Sequence, residues 1–102
     1  MKATTILDTH SITIADFCKK NHIRKLSLFG SSLRDESTFH RDIDLLVEFH
    51  SDHIPGLVAL AGMEIELSNL LGEKVDLRTA QDLSVYFRDE VLAEAKEAYA
   101  EA

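Results

Sequence analysis

The chain has 102 residues, 45% of them hydrophobic, with 18 acidic against 11 basic residues and a formal net charge of −7. That is expected to give one small ordered domain spanning 1–102, with no direct nucleic acid binding, because an acidic chain gains little counterion-release energy on a polyanion. No apolar run approaches a membrane span, the N-terminus lacks the apolar region of a signal segment, and the lone Cys18 cannot close an internal disulfide, so a cytoplasmic protein with no membrane partner is expected.

In chain order, residues 11–21 read as a helix opened by the capping candidate Ser11, with Ile12, Ile14, Ala15, Phe17 and Cys18 as its apolar stripe. Cys18 in that stripe reads as a small buried hydrophobe rather than a reactive thiol. The basic pairs Lys19-Lys20 and Arg24-Lys25 flank its end and form at most a local basic strip. Residues 23–29 alternate loosely and stop at Gly30, as a strand running into a tight turn does. Residues 35–41 are mostly polar and read as a loop. From 42 to 49 the alternation is that of a strand, with Ile43, Leu45, Val47 and Phe49 on one face and Asp42, Asp44, Leu46 and Glu48 on the other.

Beyond Pro55-Gly56, residues 56–71 predict a helix whose apolar positions are Leu57, Leu60, Met63, Leu67, Leu70 and Leu71, stopped by Gly72. Residues 74–78 predict a short strand with Val75 and Leu77 on one face and Asp76 on the other. The last expected element is a helix over 83–99 with Phe87, Val91, Leu92, Ala95 and Tyr99 on one side and a solvated acidic face at Asp89, Glu90, Glu94 and Glu97. This alternation predicts an α/β (α+β) fold. A small mixed sheet of about three strands is covered by helices on one face, leaving the other open for a site.

The chemistry concentrates in two strands and a turn. Asp42 and Asp44, at i and i+2 of one strand, point to the same face and can share a cation. If the strand carrying Asp76 is their neighbour, three carboxylates converge, and they repel one another unless a dication sits among them. Hard oxygen ligands of this kind suit Mg²⁺ or Mn²⁺. Gly30 lets the backbone approach a phosphate, Ser31 adds a hydroxyl donor, and Arg34, one turn on, adds a charge-assisted contact. His50 and His53 are spaced like metal ligands, but no thiol or imidazole cluster completes a zinc site, so they read as a solvated loop.

The segment GSSLRDESTFHRDID, with Gly30-Ser31 followed after ten residues by Asp42-x-Asp44, and Asp76 in EKVDL, resembles the minimal nucleotidyltransferase family of the polymerase β-like superfamily. LSLFGSS, RDIDLLVEF, NLLGEKVDL and FRDEVLAEAKEAYA extend the resemblance over nearly the whole chain. It implies a polymerase β-like nucleotidyltransferase fold, with Gly30, Ser31 and Arg34 binding nucleotide and Asp42, Asp44 and Asp76 as catalytic metal ligands. It further implies ATP as substrate, Mg²⁺ or Mn²⁺ as cofactor, and a HEPN-domain ribonuclease toxin as partner. The activity implied is that of an antitoxin of the type VII-like HEPN pairs, transferring AMP to a toxin tyrosine. Ser32 stands where the family often has arginine and Asp35 where it often has glycine, which implies a phosphate side weaker than the metal side; Arg41, where the family often has serine, offsets part of that change. An antitoxin that masks its toxin by binding alone is the alternative.

Overall fold

The computed structural model describes residues 3–30 and 43–101. Helices α1 (Ala3–Thr9) and α2 (Ser11–Lys20) lead into strand β1 (Ile23–Leu28); strand β2 (Ile43–Phe49), helix α3 (Leu57–Leu71) and strand β3 (Val75–Arg78) follow. A single 3-10 turn at Ala80–Asp82, helix α4 (Arg88–Glu94) and strand β4 (Lys96–Ala100) complete the described residues. The sheet order is β3-β2-β1-β4, with β1 antiparallel to both β2 and β4, and β2 parallel to β3.

Strand alternation decides the layering. Ile43, Leu45 and Val47 of β2, Leu26 and Leu28 of β1, and Val75 and Leu77 of β3 are buried on one face, where Ile14, Phe17 and Cys18 of α2, Ile6 and Leu7 of α1, and Leu67 and Leu71 of α3 meet them. The opposite face carries Lys25, Ser27, Asp44, Leu46, Glu48 and Asp76, and α4 lies over part of it through Leu92 and Ala95. Helices thus cover the core face fully and the second face only in part.

Two expectations are corrected here. Leu57 and Leu70 belong to no core stripe, being 85% and 42% exposed, and α3 buries only Leu67 and Leu71 fully while Leu60 and Met63 pack at its margin. The reason is length: fifteen helical residues run about 22 Å at 1.5 Å each, whereas the four-residue strand that α3 covers runs about 13 Å. The first turn of α3, with Leu57, therefore extends past the core, whereas Leu70, in the last turn, is turned by helical phase away from the face that Leu67 and Leu71 bury. Its end is well defined, since Gly72 takes the left-handed conformation (φ 74°) and donates its N–H to the Ser68 carbonyl at 2.9 Å.

The second correction is at the C-terminal end, where a single helix over 83–99 is replaced by a turn, a two-turn helix and a strand. Ala95 is extended (φ −61°, ψ 136°) and ends α4, and the helix-forming KEAYA segment is drawn into β4 because β1 otherwise presents an open edge. Tyr99 then packs against the core, while Phe87 is exposed. Among the described residues the sheet accordingly has four strands rather than about three. Each basic pair has one member in an ion pair, Lys20 with Glu66 and Arg24 with Glu48. His50 pairs with Glu101, and His53 binds Asp52 while its ring stacks on His22 at 3.8 Å.

Leu67 is fully enclosed, so Leu67→Ala should cost about 2–5 kcal/mol, whereas Leu57→Ala should change stability by less than about 0.5 kcal/mol; urea unfolding of the two variants checks both. Burial pushes the Cys18 thiol up to about 12. At pH 8 the folded protein should therefore resist a disulfide-exchange thiol reagent, and its single thiol should titrate only after unfolding.

Candidate active site

β2 and β3 run parallel in a register that sets Ile43 beside Val75, Asp44 beside Asp76 and Leu45 beside Leu77. Because side chains alternate, the buried pairs Ile43/Val75 and Leu45/Leu77 force the intervening pair, Asp44 and Asp76, onto the opposite face. Neighbouring strands are about 4.8 Å apart, so the two half-buried carboxylates are adjacent on the same face.

The turn after β1 closes on the same point. Phe29 donates its N–H to the Asp44 carbonyl at 3.0 Å, and Gly30 follows with φ +68°. A Cβ on Gly30 would stand 3.2 Å from Asp44 Oδ2. Glycine is thus required there twice over, by its left-handed backbone and by the closeness of the carboxylate. Gly30, Asp44 and Asp76 are brought together; Ser31, Arg34 and Asp42, with Ser32, Asp35 and Arg41, lie outside the described residues.

Like charges directly opposite one another in a sheet are destabilising, and a hard dication relieves that repulsion. Mg²⁺ is typically held by one or two carboxylates plus substrate phosphates, so the Asp44–Asp76 pair, with a backbone turn beside it, fits such an ion. Among the described residues no group of three His, Cys, Asp or Glu side chains gathers as a metal site, and His50 and His53 form none. Next to the carboxylate pair, on the same sheet face, a cleft has Ser27 and Leu46 as its floor, Leu92 and Ala95 as one wall, and Lys25, Glu48 and Glu97 at its rim.

Sequence reasoning passed over two residues on α3. Ser68 Oγ accepts the Val75 N–H at 2.9 Å and Glu64 Oε2 accepts the Leu77 N–H at 2.8 Å, one on each side of Asp76. The available signal was their i, i+4 spacing beside Leu67 and Leu71 on the helix that precedes the Asp76 strand.

The order of these parts, a glycine turn after one strand and facing carboxylates on the next two, is that of a phosphoryl-transfer protein. The chain belongs to the nucleotidyltransferase domain family, which it matches over residues 11–98. It is 36% identical over 72 residues to the protein adenylyltransferase MntA of Thermococcus cleftensis, covering 71% of each chain. A solved structure provisionally named as a minimal nucleotidyltransferase is 30% identical, with a TM-score of 0.73 over 93% of this chain and 94% of that one. The fold also matches, at 20% identity and a TM-score of 0.68 over 93% of this chain and 73% of that one, a complex described as a tri-AMPylated Shewanella oneidensis HEPN toxin with its MNT antitoxin.

With metal removed, replacing Asp76 by Asn should not weaken the fold and should raise its stability by about 0.2–1 kcal/mol by relieving the cross-strand repulsion. Thermal unfolding in chelator against unfolding in millimolar Mg²⁺ checks this: Mg²⁺ should raise the melting temperature of the native sequence and leave that of the variant nearly unchanged.

Proposed function

We propose that this chain is a protein adenylyltransferase that moves AMP from ATP to a tyrosine hydroxyl of a HEPN-domain toxin, and that it acts as the antitoxin of that pair. The observation that carries the reading is the in-register pairing of Asp44 with Asp76 beside the Gly30 turn. It is supported by the MntA relative and by the AMPylated toxin in the structurally similar complex.

In this reading the Gly30-Ser31 turn and Arg34 hold the triphosphate, and Asp42, Asp44 and Asp76 hold Mg²⁺, or Mn²⁺ in its place. The bound ion neutralises charge on the α-phosphate and on the leaving pyrophosphate. The tyrosine oxygen attacks the α-phosphorus, the bond from that phosphorus to the bridging oxygen breaks, and pyrophosphate departs. Asp76 accepts a hydrogen bond from the attacking hydroxyl, orienting it and taking up its proton. The cleft on the same sheet face gives the acceptor side chain or the nucleoside a surface next to the carboxylates.

A second reading, neutralisation by binding alone, is favoured by one observation: the outer face of α3 exposes Leu57, Val58 and Ile65. Apolar surface of that kind marks an interaction site as readily as the carboxylates mark a catalytic one. Calorimetric titration with ATP and Mg²⁺ separates the two readings, because a pure binding module has no reason to bind nucleotide in a metal-dependent way.

Co-expression with a candidate HEPN-domain partner from the same genome, followed by intact-mass measurement of that partner, should show AMP adducts. Asp42→Asn combined with Asp44→Asn should remove several kcal/mol of transition-state stabilisation, lowering the transfer rate by at least about a hundredfold. A HEPN protein of unmodified mass, or adducts that persist undiminished with the double variant, would overturn the proposal.

A further inference from the structure

The geometry points to Glu64 and Ser68 of α3 as positioning residues for Asp76, setting the aspartate's place on the sheet by holding the outer edge of its strand. This rests on the reading of Asp76 as a metal-binding carboxylate.

Among the described residues β3 is an edge strand, with β2 on one side only. In a parallel ladder, alternate residues turn their backbone groups inward and outward. Ile43 donates its N–H to the Lys74 carbonyl at 2.8 Å, which fixes the even-numbered residues of β3 as those facing β2. The N–H groups of Val75 and Leu77 therefore face outward, and each has an acceptor from α3: Ser68 Oγ at 2.9 Å and Glu64 Oε2 at 2.8 Å.

The two acceptors are themselves fixed. Ser68 donates its hydroxyl to the Glu64 carbonyl at 2.7 Å, so its oxygen is oriented toward Val75. Both residues stand on the half of α3 that is anchored by the buried Leu67 and Leu71. The residues before and after Asp76 are thus tied on the outside to α3 through their N–H groups, while on the inside the strand is tied to β2. A four-residue strand held from one side only could twist and slide; held from both, it keeps its register. Leu77 receives a carboxylate rather than a hydroxyl, a charge-assisted acceptor stronger than a neutral one.

The decisive measurement is Mn²⁺ titration of the full chain in the presence of a non-hydrolysable ATP analogue, because it reports on the carboxylate pair whether or not transfer occurs. Glu64→Ala with Ser68→Ala should weaken Mn²⁺ binding by about tenfold to a hundredfold, the range expected when a supporting hydrogen bond behind a metal ligand is lost. Glu64→Gln keeps an oxygen acceptor for Leu77 and should stay within about twofold of the native sequence. Amide exchange at Val75 and Leu77 should accelerate in the double alanine variant and remain slow at Leu26 and Leu28 of β1. Leu71→Val, which loosens the helix in the core and touches neither hydrogen bond, is the control for a general loss of packing. Unchanged Mn²⁺ affinity in the double alanine variant, or an equal loss in Leu71→Val, would overturn the proposal. A native sequence that binds Mn²⁺ but transfers no AMP would count against the assigned reaction and leave this test intact.

Discussion

The rest of the molecule is arranged around one pairing, the parallel register that sets Asp44 beside Asp76. Two carboxylates side by side are a standing electrostatic cost, and the hydrophobic pattern imposes it. The pairs on either side, Ile43 with Val75 and Leu45 with Leu77, are buried, and a slip of β3 by one residue would turn both Val75 and Leu77 away from the core. At about 1.5–3 kcal/mol for each buried aliphatic side chain, the correct register outweighs the repulsion several times over. The core therefore holds the two carboxylates side by side in this register.

The turn after β1 belongs to the same constraint. β1 is antiparallel to β2, so its C-terminal end arrives where β2 begins, and the Phe29 hydrogen bond to the Asp44 carbonyl seats Gly30 against the Asp44 side chain. One aspartate thus faces a backbone turn on one side and a second carboxylate on the other. A backbone turn and a carboxylate pair sharing a residue is the arrangement that the proposed metal-bound polyphosphate would require, since its charge must be met on both sides at once.

Much of this was legible in the sequence, for a specific reason. In β2 the alternation of Ile43, Leu45 and Val47 with Asp44 admits one strand face assignment, and the Gly30-Ser31 and Asp42-x-Asp44 spacing ties the turn to that strand. The failures lie where periodicity stops deciding. KEAYA has the composition of a helix, and only the open edge of β1, a partner more than sixty residues earlier, makes it a strand. Likewise Leu57 and Leu70 fit the stripe of α3 by spacing, yet the shortness of β3 leaves Leu57 beyond the core and helical phase turns Leu70 off the face that Leu67 and Leu71 bury. Local pattern gives the face of an element; how far the neighbouring element reaches decides which part of that face is buried.

That mismatch in length has a consequence for how α3 divides its work. Its last two turns put Leu67 and Leu71 into the core and Glu64 and Ser68 against the outer edge of β3, so they serve the sheet. The edge strand is thereby closed to pairing with another chain, a hazard that exposed strand edges otherwise carry. The first turn leaves Leu57 and Val58 largely exposed. Had α3 ended flush with β3, those residues would not exist as a surface. A helix longer than the strand it covers therefore joins, in one rigid body, the support of the Asp76 strand and an apolar surface clear of the core, and a molecule docked on the second part would bear on a helix that also holds the first.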